Sequence, residues 1–361
     1  MEKDATFPVF ELSGTPTEIG IAHGRLAKRQ ISISIQNYKK MFESFSGISW
    51  ETAQNYARTF IPAIEAYDKD IMDEIRGIAI GSGYELEDIL ALNVRSEIVL
   101  QGGMINGCTA LGLAPEVMED GNTWVAQNWD WKIQQREAYA LFKIRQNNKP
   151  DLCLFTEAGI VGKLGLNSAG LGVCLNALGS DTFVKGAAVP LHIVLREILN
   201  SATLADAIEN VGRVHVGCCA NFLMGSAEGQ VITIEAGPGD FDVLYGEEGW
   251  IAHTNHFVSP RWSQVHDTGK MAFPDTFLRY GRIRSLIQRQ LAKGPIDSHQ
   301  MRNFLRDHVG YPDAICRHED SGDPEYRRMG TVFSIAMNLT QRELYITPGN
   351  PCETEYACYK M

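Results

Sequence analysis

The sequence predicts an α+β protein of mostly antiparallel sheets with helices packed outside them. Three observations lead there. The first hundred residues carry helix-start signals and apolar spacings of three and four. From Cys108 onward, short runs of strand-forming residues are separated by turn residues. Strands come in hairpin runs and helices in pairs, which is not the pattern of an alternating βαβ chain.

Residues 7–12 alternate enough to form a short strand. Thr15-Pro16-Thr17-Glu18 then has the form of a helix start, with a capping threonine, proline at the first helical position and glutamate three residues on. One long helix is expected from there to about Phe45. Pro62 opens another, with Ile64, Ile71, Ile75 and Ile78 at helical spacing. A further helix is expected over 86–100. Strands follow over 108–113, 123–128, 140–145 and 152–156, and Asn167-Ser168-Ala169-Gly170 reads as a hairpin tip. Helices are expected over 190–200 and 203–211. Strands return over 221–225, 231–235, 241–245 and 250–254. Helices over 275–291 and 298–308 precede a closing hairpin of 331–339 and 343–346.

The chain has 361 residues, 44% hydrophobic and 21% charged, enough for a substantial core. A net charge of −11 argues against nucleic acid, whose binding requires neutralising phosphates, but leaves anionic small molecules open. The opening Met1-Glu2-Lys3-Asp4 has no apolar run behind it and no stretch approaches a membrane span, so neither signal peptide nor membrane partner is expected. The eight cysteines show no Cys-x-x-Cys spacing and read as reduced thiols in an intracellular, cytoplasmic protein.

Gly107-Cys108-Thr109 stands at the change from helical to strand texture. The segment before it, Gln101-Gly102-Gly103-Met104-Ile105-Asn106-Gly107, is glycine-rich and nearly uncharged, which suits a loop folded tightly into a cleft. A thiol attacking the Gly107 carbonyl would convert the amide to a thioester that water hydrolyses, freeing an α-amino group on Cys108. That amine has a reference pKa of about 7.7–8.0 and the thiol about 8.5, so proton transfer between them costs little. The alternative for Cys108 is an ordinary small buried side chain.

Asp130, between Trp129 and Trp131, reads either as a strand-end carboxylate capping a turn or as the group that holds the new ammonium. In His253-Thr254-Asn255-His256 no third metal ligand has a recognisable spacing, so no metal is expected; Asn255 reads as an oxyanion donor or a turn residue. Arg317 is either a solvated charge or a bidentate partner that keeps Asp130 ionised. Gly162-Lys163-Leu164-Gly165-Leu166-Asn167 lacks the ending of a phosphate loop. Arg279, Arg282, Arg284 and Arg289 read as a solvated helix face, with contact to a phosphorylated cofactor the alternative that the spacing supports less.

Seven pieces in this order resemble the isopenicillin N acyltransferases (acyl-coenzyme A:6-aminopenicillanic acid acyltransferases) and their relatives among the N-terminal-nucleophile hydrolases. They are Gly20-Ile21-Ala22-His23-Gly24, Asn106-Gly107-Cys108-Thr109, Gln127-Asn128-Trp129-Asp130, Thr156-Glu157 through Gly162-Lys163, Asn167-Ser168-Ala169-Gly170, His253-Thr254-Asn255-His256 and Ile315-Cys316-Arg317. The resemblance implies a four-layer αββα sandwich of two mostly antiparallel sheets. It also implies self-cleavage before Cys108 into a helical small subunit 1–107 and a large subunit 108–361, which together form one domain as a heterodimer. Cys108 is then nucleophile and, through its amine, base; Asp130 and Arg317 are the polar pair that orients it, and Asn255 is the oxyanion donor. The implied activity is acyl transfer in secondary metabolism, from an acyl-CoA or an amide through a Cys108 thioester to an amine or water. No cofactor is implied beyond acyl-CoA as a co-substrate. Hydrolysis of β-alanyl-amine or other amides without acyl-CoA is the close alternative, and an uncleaved, non-catalytic binding protein the distant one. The ending Tyr359-Lys360-Met361 is not a peroxisomal tripeptide, and Ala220 and Ala314 stand where the penicillin enzymes suggest hydroxyls. Both point to a relative that kept the catalyst and changed the pocket.

Overall fold

The computed structural model of the protein describes residues 7–101, 107–181, 188–325 and 328–361. The glycine-rich run 102–106 lies outside the described residues.

The chain opens with β1 (Val9–Gly14) and then a helical stretch: α1 (Pro16–Leu26), α2 (Lys28–Met41), α3 (Trp50–Arg58), α4 (Ile61–Tyr67), α5 (Lys69–Ser82), α6 (Leu86–Asn93) and α7 (Arg95–Gln101). Strands β2 (Gly107–Leu113), β3 (Trp124–Trp131), β4 (Tyr139–Gln146), β5 (Leu152–Glu157), β6 (Leu164–Asn167) and β7 (Leu171–Ala177) follow. Helices α8 (Leu191–Asn200) and α9 (Leu204–Gly212) separate these from β8 (Ala220–Ser226), β9 (Val231–Gly237), β10 (Asp240–Tyr245) and β11 (Trp250–His253). The last part holds α10 (Gly269–Ala272), α11 (Asp275–Leu291), α12 (Ser298–Phe304), β12 (Gly330–Asn338), β13 (Glu343–Ile346) and β14 (Ala357–Lys360).

The strands form two sheets, ordered β1-β4-β5-β6-β7-β8-β9-β10 and β11-β2-β3-β12-β13-β14. Every named pair is antiparallel except β1 with β4. The sheets face each other where β2 and β3 lie on β7 and β8; α2, α8 and α9 pack on the larger sheet and α11 on the smaller. The result is αββα, with one core between the sheets and under the N-terminal helices and a second between the smaller sheet and α11–α12. Period-two alternation divides β2 and β3 between them. Cys108, Ala110, Trp129 and Trp131 belong to the first core; Leu111, Leu113, Trp124 and Ala126 belong to the second.

The helix start at Thr15 forms as its residues dictate. Thr15 Oγ1 accepts from the Glu18 N–H at 3.4 Å and Glu18 Oε2 accepts from the Thr15 N–H at 2.8 Å. The expected long helix, however, is two. Alanine favours helix more than any other residue, yet Ala27 leaves helical geometry at φ −100°, ψ 21°. Packing overrides propensity here. A Cβ on Gly20 would lie 2.1 Å from the Glu74 carbonyl oxygen, and one on Gly24 2.3 Å from that of Ile78, so α1 is pressed backbone to backbone on α5. After the turn at Ala27, α2 runs instead over β5. The helix expected from Pro62 is likewise divided, because Asp68 in extended geometry caps α5 through the N–H groups of Asp70 (2.7 Å) and Ile71 (3.3 Å). The one over 86–100 divides at Val94. The helix expected over 298–308 ends at Phe304. Helix α3 and strand β14 add to the elements read from sequence.

Candidate active site around Cys108

Cys108 is the second residue of β2, fully buried, with its side chain on the face turned toward the other sheet. Gly107 pairs with Asp130 across the ladder and Cys108 with Trp129. Asp130 is therefore a strand residue, one before the end of β3, rather than a turn carboxylate. Its side chain lies on the opposite face from the sulfur, directly against Gly107. A Cβ on Gly107 would stand 2.8 Å from Asp130 Oδ2 and 3.2 Å from Arg317 Nε. Only glycine leaves room there.

The polar groups reach Cys108 through its main chain. Its N–H donates to Asn255 Oδ1 at 2.8 Å. Its carbonyl accepts from Arg279 Nη1 at 2.6 Å, and Arg279 Nη2 donates to the same Asn255 Oδ1 at 3.1 Å. Arg279 Nε pairs with Asp275 at 2.8 Å, Asp275 pairs with Arg317, and Arg317 Nε stands 3.5 Å from Asp130 Oδ2. A chain of alternating charge thus runs from Asp130 through Arg317, Asp275 and Arg279 to Asn255, with both peptide groups of Cys108 inside it.

Cys108, Asp130, Asn255 and Arg317 are therefore brought together, with three differences from expectation. Arg317 is buried but does not grip Asp130 bidentately; its two Nη groups bind Asp275 and Asp313. Asn255 donates from Nδ2 to the Ala177 carbonyl at 3.1 Å and presents its oxygen, not its N–H, to Cys108. Arg279 is not on a solvated face: it is fully buried and is the largest addition to the predicted set, together with Asp275. Its position was readable, since Arg279, Ile283 and Ile287 repeat at four and all three are buried. His253 and His256 bind Glu235 Oε1 (2.8 Å) and Thr276 Oγ1 (2.9 Å), holding the loop that carries Asn255.

Charges set the ionisation of the site. Burial, with the Asp130 charge beside it, pushes the Cys108 thiol up to about 12. Burial also raises the Asp130 carboxyl to about 6, against the opposing pull of Arg317 and Arg279. Thr331 donates to Asp130 Oδ1 at 2.7 Å, while Oδ2 has no hydrogen-bond partner among the described residues.

On the sulfur face lies a buried ion cluster. Lys163 Nζ sits 3.8 Å from the centre of the Trp129 ring and 2.6 Å from Glu157 Oε2; Arg95 Nη2 is 3.8 Å from Glu157 Oε1, and Tyr38 donates to that oxygen at 2.9 Å. Two cations share one carboxylate. Burial would raise Glu157, but Lys163 and Arg95 outweigh it and hold it down at about 2; burial lowers Lys163 to about 7. His23, kept neutral by burial with its pKa pushed down to about 3, accepts from the Gly159 N–H at 2.9 Å and so ties α1 to the loop between Glu157 and Lys163.

The chain is an enzyme of the acyl-transfer class. A family model described as acyl-coenzyme A:6-aminopenicillanic acid acyl-transferase matches residues 117–353, well over half of the chain. The chain belongs to that family. The matched span holds Asp130, Asn255 and Arg317 and begins after Cys108. The chain is also similar to the 40 kDa form of acyl-coenzyme A:6-aminopenicillanic-acid-acyltransferase from Emericella nidulans, 27% identical over 348 residues that cover 94% of this chain and 93% of that one. Among solved structures it is similar to a mutant conjugated bile acid hydrolase from Clostridium perfringens (TM-score 0.46, 15% identity, 70% of this chain and 97% of the other). A second is penicillin V acylase from Agrobacterium tumefaciens (TM-score 0.47, 12% identity, 67% and 83%). No helix among the described residues is long and apolar enough to cross a membrane.

Proposed function

We propose that the protein is a precursor that cuts itself between Gly107 and Cys108 and then moves acyl groups through a Cys108 thioester. One observation carries this reading: the buried polar residues converge on the peptide groups of Cys108, whereas its sulfur stays sealed and protonated. Asn255 binds the nitrogen of the Gly107–Cys108 bond and Arg279 fixes the carbonyl of the peptide that follows, so the residue to be freed is held on both sides while the bond before it is addressed from its nitrogen.

In the first reaction Sγ adds to the Gly107 carbonyl carbon and the thiol proton passes to the departing Cys108 nitrogen. The C–N bond breaks and a thioester remains. Water then hydrolyses the thioester, leaving a carboxylate on Gly107, a free thiol and an α-amino group. The orphaned Asp130 Oδ2 lies beside Gly107 and would accept from the new ammonium. In the second reaction the amine takes the thiol proton and the thiolate adds to the carbonyl of an acyl-CoA or an amide. Asn255 Nδ2 carries two hydrogens and gives one to Ala177; the other is the donor for the oxyanion. Collapse expels the CoA thiol or the amine, which takes the proton held on the α-ammonium. An amine or water then attacks the acyl-enzyme and restores the thiol. Exclusion of water favours transfer, and its admission hydrolysis.

Denaturing electrophoresis and intact mass of the purified protein test the first step. Two chains, 1–107 and 108–361, are expected, and Cys108→Ala stays whole. Acyl-CoA with varied amines, against amides alone, tests the second through thiol release and amide product. Efficient cutting of Cys108→Ala, or full turnover by an uncut chain, would refute the reading.

A further inference from the structure

A second cluster of reactive side chains lies away from the sulfur of Cys108. His308, Cys316, His318 and Cys352 converge so that one ligand atom from each lies within 4.8 Å of the other three. The separations are 3.1 Å between the two Nε2 atoms and 3.5 Å between the two sulfurs. His318 Nε2 is 3.8 Å from Cys316 Sγ and 3.4 Å from Cys352 Sγ. Zinc bonds of about 2.3 Å to sulfur and about 2.0–2.1 Å to nitrogen, set at tetrahedral angles, require separations of about 3.3–3.8 Å between ligand atoms. The four groups already stand near that geometry.

The surroundings fit as well. His318 points Nε2 into the cluster, and its Nδ1 lies 3.8 Å from Glu353 Oε1, the arrangement by which a carboxylate orients a metal-bound imidazole. Asn350 Nδ2 donates to Cys316 Sγ at 3.6 Å, a bond that favours the thiolate. Cys316 is buried, whereas His308 and Cys352 are exposed, so an ion has a way in. Two sulfurs and two imidazoles select zinc among common divalent ions over calcium or magnesium, which prefer oxygen.

We propose that His308, Cys316, His318 and Cys352 form a tetrahedral zinc site. With four protein ligands the site is closed and therefore structural rather than catalytic. Binding replaces the two thiol protons, which leave to solvent, by one divalent ion. The ion joins three separate pieces of chain: the turn after α12, the segment 316–318, and the tail between β13 and β14. Arg317 lies between two of the ligands, and its carbonyl also accepts from Asn350 Nδ2 at 2.7 Å. The site thus clamps the backbone that carries the guanidinium facing Asp130.

The test uses the full chain, produced with zinc in the medium and purified anaerobically without chelator. Elemental analysis is expected to give one zinc per chain. Cobalt in its place is expected to show thiolate charge-transfer and tetrahedral d–d absorption. Cys352→Ser and His308→Ala lose the metal, Glu353→Gln weakens its binding about tenfold or more, and Cys358→Ser, outside the cluster, retains it. Chelator lowers the unfolding temperature of the parent protein but not that of Cys352→Ser. Absence of zinc and of cobalt charge transfer would overturn the proposal, as would full zinc in Cys352→Ser. So would a Cys316–Cys352 disulfide in the anaerobically purified chain.

Discussion

At the scale of single residues, Cys108 is held by its backbone and withheld by its side chain. The thiol raised to about 12 leaves a thiolate fraction of about one in 10⁵ at pH 7. Self-cutting that begins with sulfur attack should therefore accelerate about tenfold per pH unit between pH 7 and 9, because rising pH is what populates the nucleophile. On the proposed mechanism the cut enzyme would carry its own amine base, so its acyl transfer should level off near pH 8. Time courses of cutting on denaturing gels, set beside acyl-transfer rates of the cut enzyme, check this; a cutting rate flat from pH 6 to 9 would count against sulfur as the initiating group. Gly107→Ala addresses the other side of the bond. Its Cβ would meet Asp130 Oδ2 at 2.8 Å, inside a buried network with no slack, so cutting should slow at least about tenfold while the uncut chain still folds. Mass spectrometry of the fresh and aged variant reads the outcome.

At the scale of elements, α11 supplies a charge that the sheet needs. Arg279 reaches from a helix on the outer face to the carbonyl of Cys108, and Arg279→Leu should abolish cutting while Arg279→Lys keeps part of it, as fragment yields would show. The spacing of Arg279 with Ile283 and Ile287 carried that placement, but four arginines on one helix suggested a solvated face. Other elements were legible because their signals are local. The capping box at Thr15 and the hairpin tip at Asn167–Gly170 form where turn and cap chemistry require, and Gly170 has φ +89°. The break at Ala27 has no local signal; it follows from glycines on α1 and α5 that meet only in the fold. The thiol and imidazole cluster is equally hidden, since spacings of 8, 2 and 34 residues along the chain match no ligand motif. Glu157 belongs to this scale too, because it neutralises cations from α7 and from the loop before β6. Glu157→Gln should cost about 3–5 kcal/mol by leaving Lys163 and Arg95 buried with no carboxylate between them. Denaturant melts measure it, and Glu157→Gln with Lys163→Met should recover part of the loss.

At the scale of the whole molecule, the bond before Cys108 divides the sequence but not the core. Strand β1 lies at the edge of the eight-stranded sheet, paired in parallel with β4 over Val9–Leu141 to Gly14–Gln146. Residues from α1, α2, α5 and α6 share one apolar cluster with strands of both sheets, including Ile19, Ile31, Tyr38, Ile75 and Leu90 at zero to two per cent exposure. Ion pairs cross the same boundary in buried surroundings: Glu74 holds Arg196 with both oxygens, at 2.9 and 2.7 Å, and Arg95 faces Glu157. An interface of this kind resembles a core cut in two, which is the hallmark of an obligate association. Cutting before Cys108 should therefore give two bands on a denaturing gel and one particle in native size exclusion at the mass of the full chain. Dilution to nanomolar concentration should not part them, and either fragment expressed alone should be insoluble or unfolded. Separation of the fragments under native conditions would mean that the helices and β1 are an accessory layer, and that the larger sheet closes without them.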